Sequence, residues 1–191
     1  MVKLKNVKAD TGLIAYQKVQ AWFFAYPTKE FTLNEIYKAV GIAKTTASQT
    51  VQQLAAENFL VKETIGNLWR IKANQGHPDF VIRKIPHNLQ LVYESGIVEY
   101  IKSLFPQSRA IILFGSYRKG DDTHESDIDI AVEVLDDKEL RTSEIGGIHE
   151  LGYRKNVKVN AHIFSRNKID INVFTSIANG ILLDGLLEVR P

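Results

Sequence analysis

The chain has 191 residues, enough for one substantial domain or two small ones. Apolar residues make up 45% of it, so a core can form, and the lack of cysteine excludes disulfides and thiolate metal sites. Net charge is only +2, but residues 1–86 hold 12 Lys and Arg against 6 Asp and Glu, while residues 87–191 hold 12 against 16. A basic front half favours a polyanion, and an acidic back half repels one unless a cation intervenes.

Met1 to Lys8 contains no apolar stretch of the signal-peptide kind, and no run approaches the roughly 18 apolar residues of a membrane span. The expectation is a cytoplasmic protein with no membrane partner. The first helix is predicted over Leu13 to Phe24, with Leu13, Tyr16, Val19 or Gln20, Phe23 and Phe24 on one face. A second starts after Thr32, which can form a capping box with Glu35, and runs from Leu33 to Val40 before Gly41 stops it. A third spans about Lys44 to Asn58, with Ala47, Val51, Leu54 and Ala55 facing inward. Phe59 to Lys62 and Leu68 to Lys72 alternate as paired strands around Ile65-Gly66-Asn67.

Three helices followed by a hairpin resemble the winged helix-turn-helix family over residues 12–72, carried by the stretch from Phe31 to Leu54. The resemblance implies that the third helix enters the major groove of double-stranded DNA. Its outer face would then present Lys44, Thr45, Ser48, Gln49, Gln52 and Gln53, with Lys62, Arg70 and Lys72 on or near the wing. Glutamine can read adenine through a paired donor and acceptor, and the cations suit phosphate. Winged domains commonly pair to match a palindromic site, so a homodimer is expected, and Trp22, Phe23 and Phe24 are the most apolar candidates for that contact.

Residues 76–88 read as a linker, because Gly76, Pro78 and Pro86 break the periodicity. The domain boundaries expected are therefore 1–75 and 89–191. A helix follows from about Leu89 to Phe105, then strands over Arg109 to Phe114 and Ile128 to Val134. Asp136 to Gly152 reads as helix or loop, Val157 to Phe164 as a strand, and Ile169 to Asn179 as a helix or irregular turn. Gly180 to Gly185 closes the pattern with a short apolar run. This order gives an α/β or α+β domain with a small mixed sheet.

The chemistry concentrates in Gly115-Ser116-Tyr117-Arg118-Lys119-Gly120 and Ser126-Asp127-Ile128-Asp129. A buried strand ending in Gly-Ser lets backbone amides approach a phosphate, and a helix starting there aims free N–H groups at the same anion. Asp127 and Asp129, two positions apart, share one face of a strand, where like charges raise each other's proton affinity unless a cation joins them. With a triphosphate, such a pair suits magnesium.

This pattern resembles the DNA polymerase beta-like nucleotidyltransferase superfamily, and within it the minimal nucleotidyltransferases. The resemblance implies that Gly115, Ser116, Lys119 and Gly120 hold a nucleoside triphosphate and that Asp127 and Asp129 bind two magnesium ions. It also implies transfer of a nucleoside monophosphate to a hydroxyl acceptor, either a small molecule or a toxin-like partner protein. One feature departs from the family. The third carboxylate, expected on a later strand, is replaced by Asn160, with His162 two positions on. Asparagine cannot act as a base, while histidine can accept a proton. The alternative function is a DNA-binding transcriptional regulator whose second domain binds nucleotide or a partner without turnover.

Overall fold

A computed structural model describes residues 2–9 and 14–189. The first strand, β1 (Val7–Lys8), lies at the edge of the C-terminal sheet, so the N-terminal residues do not all belong to the front domain. Helix α1 spans Ala15–Ala25, and Leu13, expected on its apolar face, lies outside the described residues. Strand β2 (Glu30–Phe31) leads into α2 (Leu33–Val40), where Thr32 and Glu35 form the expected capping box and Gly41 takes the left-handed conformation, φ 66°. Helix α3 (Lys44–Ala56) stops two residues short of the expected end, and Asn58 turns the chain with φ 58°. Strands β3 (Leu60–Ile65) and β4 (Leu68–Ala73) form the wing, and β2 adds a third strand against β4.

The front core contains Val19, Phe23, Phe24, Ile36, Val51, Leu54, Phe59 and Ile71. Phe23 and Phe24 are therefore inside, and Trp22 packs on Tyr26, Phe31 and Tyr153. This corrects the expectation that Phe23 and Phe24 form a dimer contact, since both fill the core, while Trp22 is half-buried at the seam between the two halves.

The stretch expected to be a linker is a helix, α4 (Pro78–Glu94). His77 caps it, accepting from the Asp79 amide at 3.1 Å, and Pro78 occupies the first turn, where its missing N–H costs nothing. Pro86 sits inside the helix despite its missing donor. Ser95 and Gly96, the latter with φ 70°, separate α4 from α5 (Ile97–Leu104), so the single helix expected from Leu89 to Phe105 is two pieces.

The C-terminal sheet comprises β5 (Ala110–Phe114), β6 (Ile128–Glu133), β7 (Arg141–Gly152), β8 (Arg154–Phe164) and β9 (Ile181–Gly185), together with β1. Its order is β1-β7-β8-β6-β5-β9, with β6–β8 and β1–β7 parallel and the other pairs antiparallel. Between β5 and β6 lies the short helix α6 (Gly115–Lys119). A 3-10 turn (Arg166–Lys168) and α7 (Ile171–Ala178) precede β9. Strand β7 corrects the reading of Asp136 to Gly152 as helix or loop from Arg141 onward, and the stretch before it is loop. Only Ile148 and Leu151 are buried along the strand, and a bulge between Glu144 and Gly146 breaks its alternation. Helices α4 and α5 cover one face of this sheet, where Val92, Ile97 and Ile101 join Ile111, Leu113, Ile128, Ile130 and Val159. The protein is thus a helical domain with a β wing followed by a mixed α/β domain. Among the described residues no helix is long and apolar enough to cross a membrane.

Candidate functional site

Strand β5 delivers the chain into the centre of the sheet through Ile111, Ile112 and Leu113, which are all buried, and then turns at Gly115. Gly115 has φ 72°, and a Cβ there would lie 3.0 Å from Oδ2 of Asp129. Glycine is therefore required twice, for the backbone and for the carboxylate beside it. Helix α6 begins at this residue, so Ser116 lies in its first turn, half-buried, and the Gly120 amide donates to the Ser116 carbonyl at 2.8 Å. Lys119 is exposed. Gly120 ends the helix with φ 75°, and a Cβ there would meet Ile85 at 3.0 Å and Val81 at 3.2 Å. Its small size lets α6 pack against α4.

Asp127 immediately precedes β6, and Asp129 lies in it, paired in register with Phe114 of β5 and Asn160 of β8. Two-residue periodicity puts Asp127, Asp129, Asn160 and His162 on one side of the sheet. The Asn160 amide nitrogen is 3.3 Å from Oδ2 of Asp127 and 3.4 Å from Oδ1 of Asp129. His162 Nε2 is 3.0 Å from Oδ1 of Asp129, its Nδ1 is 3.1 Å from the Thr142 hydroxyl, and its ring meets Phe114 edge-on at 4.9 Å. The four side chains thus come together through the parallel pairing of β6 with β8, as the resemblance implies. The carboxylate pair is met by one neutral amide and one imidazole, where a further carboxylate would complete a metal site.

Two magnesium ions need more oxygen ligands and more negative charge than this set supplies. Among the described residues no three His, Asp or Glu side chains are grouped to hold a metal. The set therefore does not fit the two-ion site implied by the resemblance. Asp127 and Asp129 are half-exposed, however, and the Gly115 backbone lies close against Asp129.

The segment joining α6 to Asp127 is anchored by residues that sequence reasoning does not single out. Asp122 is buried, with Lys84 Nζ 3.1 Å away, the Asn88 amide donating at 2.7 Å, and Arg154 at 3.9 Å. Lys84 also donates to the Asp122 carbonyl. Arg154 donates to the Tyr117 hydroxyl at 2.5 Å and to the carbonyls of Ser126 and His124. Burial pushes the Asp122 carboxyl up and the Lys84 ammonium down, and for both the mutual attraction is the smaller effect. This cluster ties the loop before Asp127 to α4, the element that follows the wing. Its only sequence signal is Asp122 itself, within the motif. Lys84 is hidden between Pro78 and Pro86.

On the winged half, Lys44, Thr45, Gln49, Gln52 and Gln53 are exposed along α3 and Ser48 is half-buried, while Ala47, Thr50, Val51 and Leu54 are buried. Gln52 donates to Ser48 at 3.1 Å and Gln53 to Glu57 at 3.1 Å. The wing cations have partners. Arg70 and Lys72 pair with Glu30 at 3.2 and 3.5 Å, and the Lys62 ammonium sits 4.3 Å from the Trp69 ring centroid. Strand β2, which carries Glu30, has no sequence signal beyond a two-residue Glu-Phe alternation.

The comparison with curated proteins gives no match. A solved structure of Bordetella bronchiseptica BpsR, concerned with regulation of its DNA binding by 6-hydroxynicotinic acid, is similar over 50% of this chain and 76% of that one. The identity is 17% and the TM-score 0.34, too low to show a shared fold. Residues 94–181 match the family model described as the nucleotidyltransferase domain, so the chain carries a C-terminal nucleotidyltransferase-like domain behind a helical domain whose β wing resembles a winged helix-turn-helix.

Proposed function

We propose that this chain is a DNA-binding regulator whose nucleotidyltransferase-like domain holds a nucleoside triphosphate without transferring it. The observation that carries this reading is Asn160, set 3.3 and 3.4 Å from the two carboxylates where a third one is expected. An amide adds no charge to draw a second cation and cannot take a proton from an attacking hydroxyl. The phosphate side is better kept, since the Gly115 turn stands against Asp129 and opens a helix. The polar outer face of α3 supports the DNA reading, and the exposed ion pairs on Glu30 are weak enough for Arg70 and Lys72 to exchange them for phosphate. The Lys84–Asp122 cluster offers a physical link between the halves. Regulation through it requires that the nucleotide bind two arrangements with different affinity.

A second reading is transfer of a nucleoside monophosphate to a hydroxyl of a small molecule or partner protein. The position of His162 on Asp129 favours it, because the imidazole brings back a proton acceptor.

The test is incubation with each α-labelled nucleoside triphosphate and magnesium, alone and with lysate proteins, using the wild type, Asp127→Asn/Asp129→Asn and Asn160→Asp. The expected outcome is label retained on a filter by the wild type, lost in the double variant, with no covalent product. Label transferred by the wild type and abolished in the double variant establishes the second reading. Absence of both retention and transfer at millimolar nucleotide removes the nucleotide from either account. The DNA half is tested separately, by selecting duplexes from a random pool with the full chain. Binding should weaken in Lys44→Ala and Gln49→Ala.

A further inference from the structure

An open cleft of about 600 Å³ lies between the halves, bordered by the end of α1, Ala39 of α2, the end of β1 and the turn joining β7 to β8. Neither the Gly115 turn nor Asp127 or Asp129 lines it. Small-molecule sites run from about 300 to 1,000 Å³ and combine aromatic or apolar walls with a few polar groups.

The walls are Trp22, Tyr26 and Tyr153, each half-buried, so part of every side chain stays accessible. Trp22 meets Tyr153 edge-on at 5.5 Å and Tyr26 at 4.6 Å. The Tyr26 hydroxyl donates to the Tyr153 carbonyl at 2.8 Å and so ties the walls together across the two halves. An occupant therefore meets rings already in place, which lowers the ordering cost of binding.

Three exposed lysines flank these rings. Lys8 and Lys155 line the cleft, and the Lys29 ammonium lies 5.5 Å from the Tyr26 ring centroid. Among the described residues the lining holds one carboxylate, Glu150, and Lys155 donates to it. Lys8 acts on the same carboxylate from further off, and neither Lys8 nor Lys29 forms an ion pair among the described residues. Positive charge is thus in surplus beside aromatic faces.

We propose that this cleft binds an aromatic anion the size of a nucleoside monophosphate, with its ring system against Trp22 and Tyr153 and its phosphate between Lys8 and Lys155. The surplus charge repels a cation. An inorganic anion meets only exposed lysines, whose pairings are weak, and a neutral ring leaves those lysines unused. Aromatic faces beside cations suit a ligand that carries a base and a phosphate together. Because Trp22 belongs to the winged half and Tyr153 to the nucleotidyltransferase-like half, an occupant touches both. The proposal goes beyond the DNA and triphosphate readings and depends on neither.

AMP, adenosine and ribose 5-phosphate are titrated separately into the ¹⁵N-labelled full chain in EDTA, with neither DNA nor triphosphate present. The chain has two tryptophans, so Trp69→Phe assigns the Trp22 indole N–H signal. AMP should shift that signal and the amides of Lys8, Glu150 and Tyr153 saturably. It should bind at least about fivefold tighter than ribose 5-phosphate, the effect of one stacked base. Lys8→Gln should weaken AMP about twofold to fivefold, and Glu150→Gln, which removes the opposing charge, should tighten it by a similar factor. Adenosine should respond to neither change. The proposal is overturned by any of four results: no saturable shift with AMP, shifts centred on Gly115 to Asp129, either fragment binding as tightly as AMP, or AMP affinity unchanged in both Lys8→Gln and Glu150→Gln.

Discussion

Two carboxylate clusters lie on either side of the same short loop, and they are built on opposite principles. Asp127 and Asp129 are half-exposed and face neutral or titratable partners, Asn160 and His162. Asp122 is 1% exposed and faces two cations, Lys84 and Arg154, with Asn88 completing its hydrogen bonds. The first arrangement leaves negative charge unmatched at the surface, where a ligand can meet it. The second matches charge internally and leaves nothing to bind. A carboxylate's role is thus read from its neighbours' charge and its access to water, and the sequence Asp121-Asp122…Asp127…Asp129 does not distinguish the two.

The largest expected effect breaks the buried cluster. Lys84→Met strands the Asp122 carboxylate beside Asn88 and Arg154, and removing one partner of a buried pair costs about 3–5 kcal/mol. Burial outweighs attraction for both Asp122 and Lys84. The double variant Lys84→Met/Asp122→Leu leaves Arg154 buried without its carboxylate, held by the Tyr117 hydroxyl and two carbonyls, so it should recover only part of that loss. Urea unfolding of the two singles and the double measures this coupling. Asp129→Asn, on the open side, should shift stability by no more than about 1 kcal/mol, as substitutions at partly exposed sites usually do. A loss as large as that of Lys84→Met would erase the distinction between the clusters.

A smaller effect sharpens the comparison through pH. His87 neighbours Lys84, and burial first, then that charge, hold its imidazole at about 4 against an ordinary 6.5. The folded state therefore disfavours the protonated ring. The stability from keeping it neutral is full above pH 6.5, falls as pH drops towards 4, and levels off below. A 2.5-unit difference corresponds to about 3 kcal/mol at most. Between pH 7 and pH 4 the unfolding free energy of wild type should fall relative to that of His87→Leu by an amount of that order. Parallel curves would show that the ring is solvated and its neutrality is not imposed by the fold.

Much of this is legible without the structure, and what is not has identifiable causes. The capping box at Thr32, the stop at Gly41 and the hairpin follow from local spacing, whereas the gathering of Asp127, Asp129, Asn160 and His162 across β6 and β8 follows from the family resemblance. Helix α4 escapes sequence reasoning because Pro78 and Pro86 signal breaks, whereas the first sits in a helical first turn and the second is carried by packing on the sheet domain. Strand β7 escapes it because an edge-like strand with Gly146 and Gly147 buries few side chains. Helix α4 packs on both halves, so the contact between them is part of what local pattern hides. Lys84 and Asn88 from α4 and Arg154 from the start of β8 converge on Asp122, and only long-range pairing brings them there.

The smallest expected effect extends the comparison to the wing, where charge is matched but exposed. Glu30 pairs with Arg70 and Lys72 across β2 and β4, with side chains 42–56% exposed. Exposed pairs contribute about 0–1 kcal/mol, so Glu30→Gln should leave the unfolding midpoint almost unchanged. The same change frees two cations for phosphate. Duplex affinity should then rise, and its dependence on salt should steepen by about one to two units of slope, one for each additional phosphate neutralised. The measurement is fluorescence anisotropy of a labelled duplex across a salt series. An unchanged slope with unchanged stability would mean that Arg70 and Lys72 do not face the nucleic acid, and the DNA reading would then rest on α3 alone.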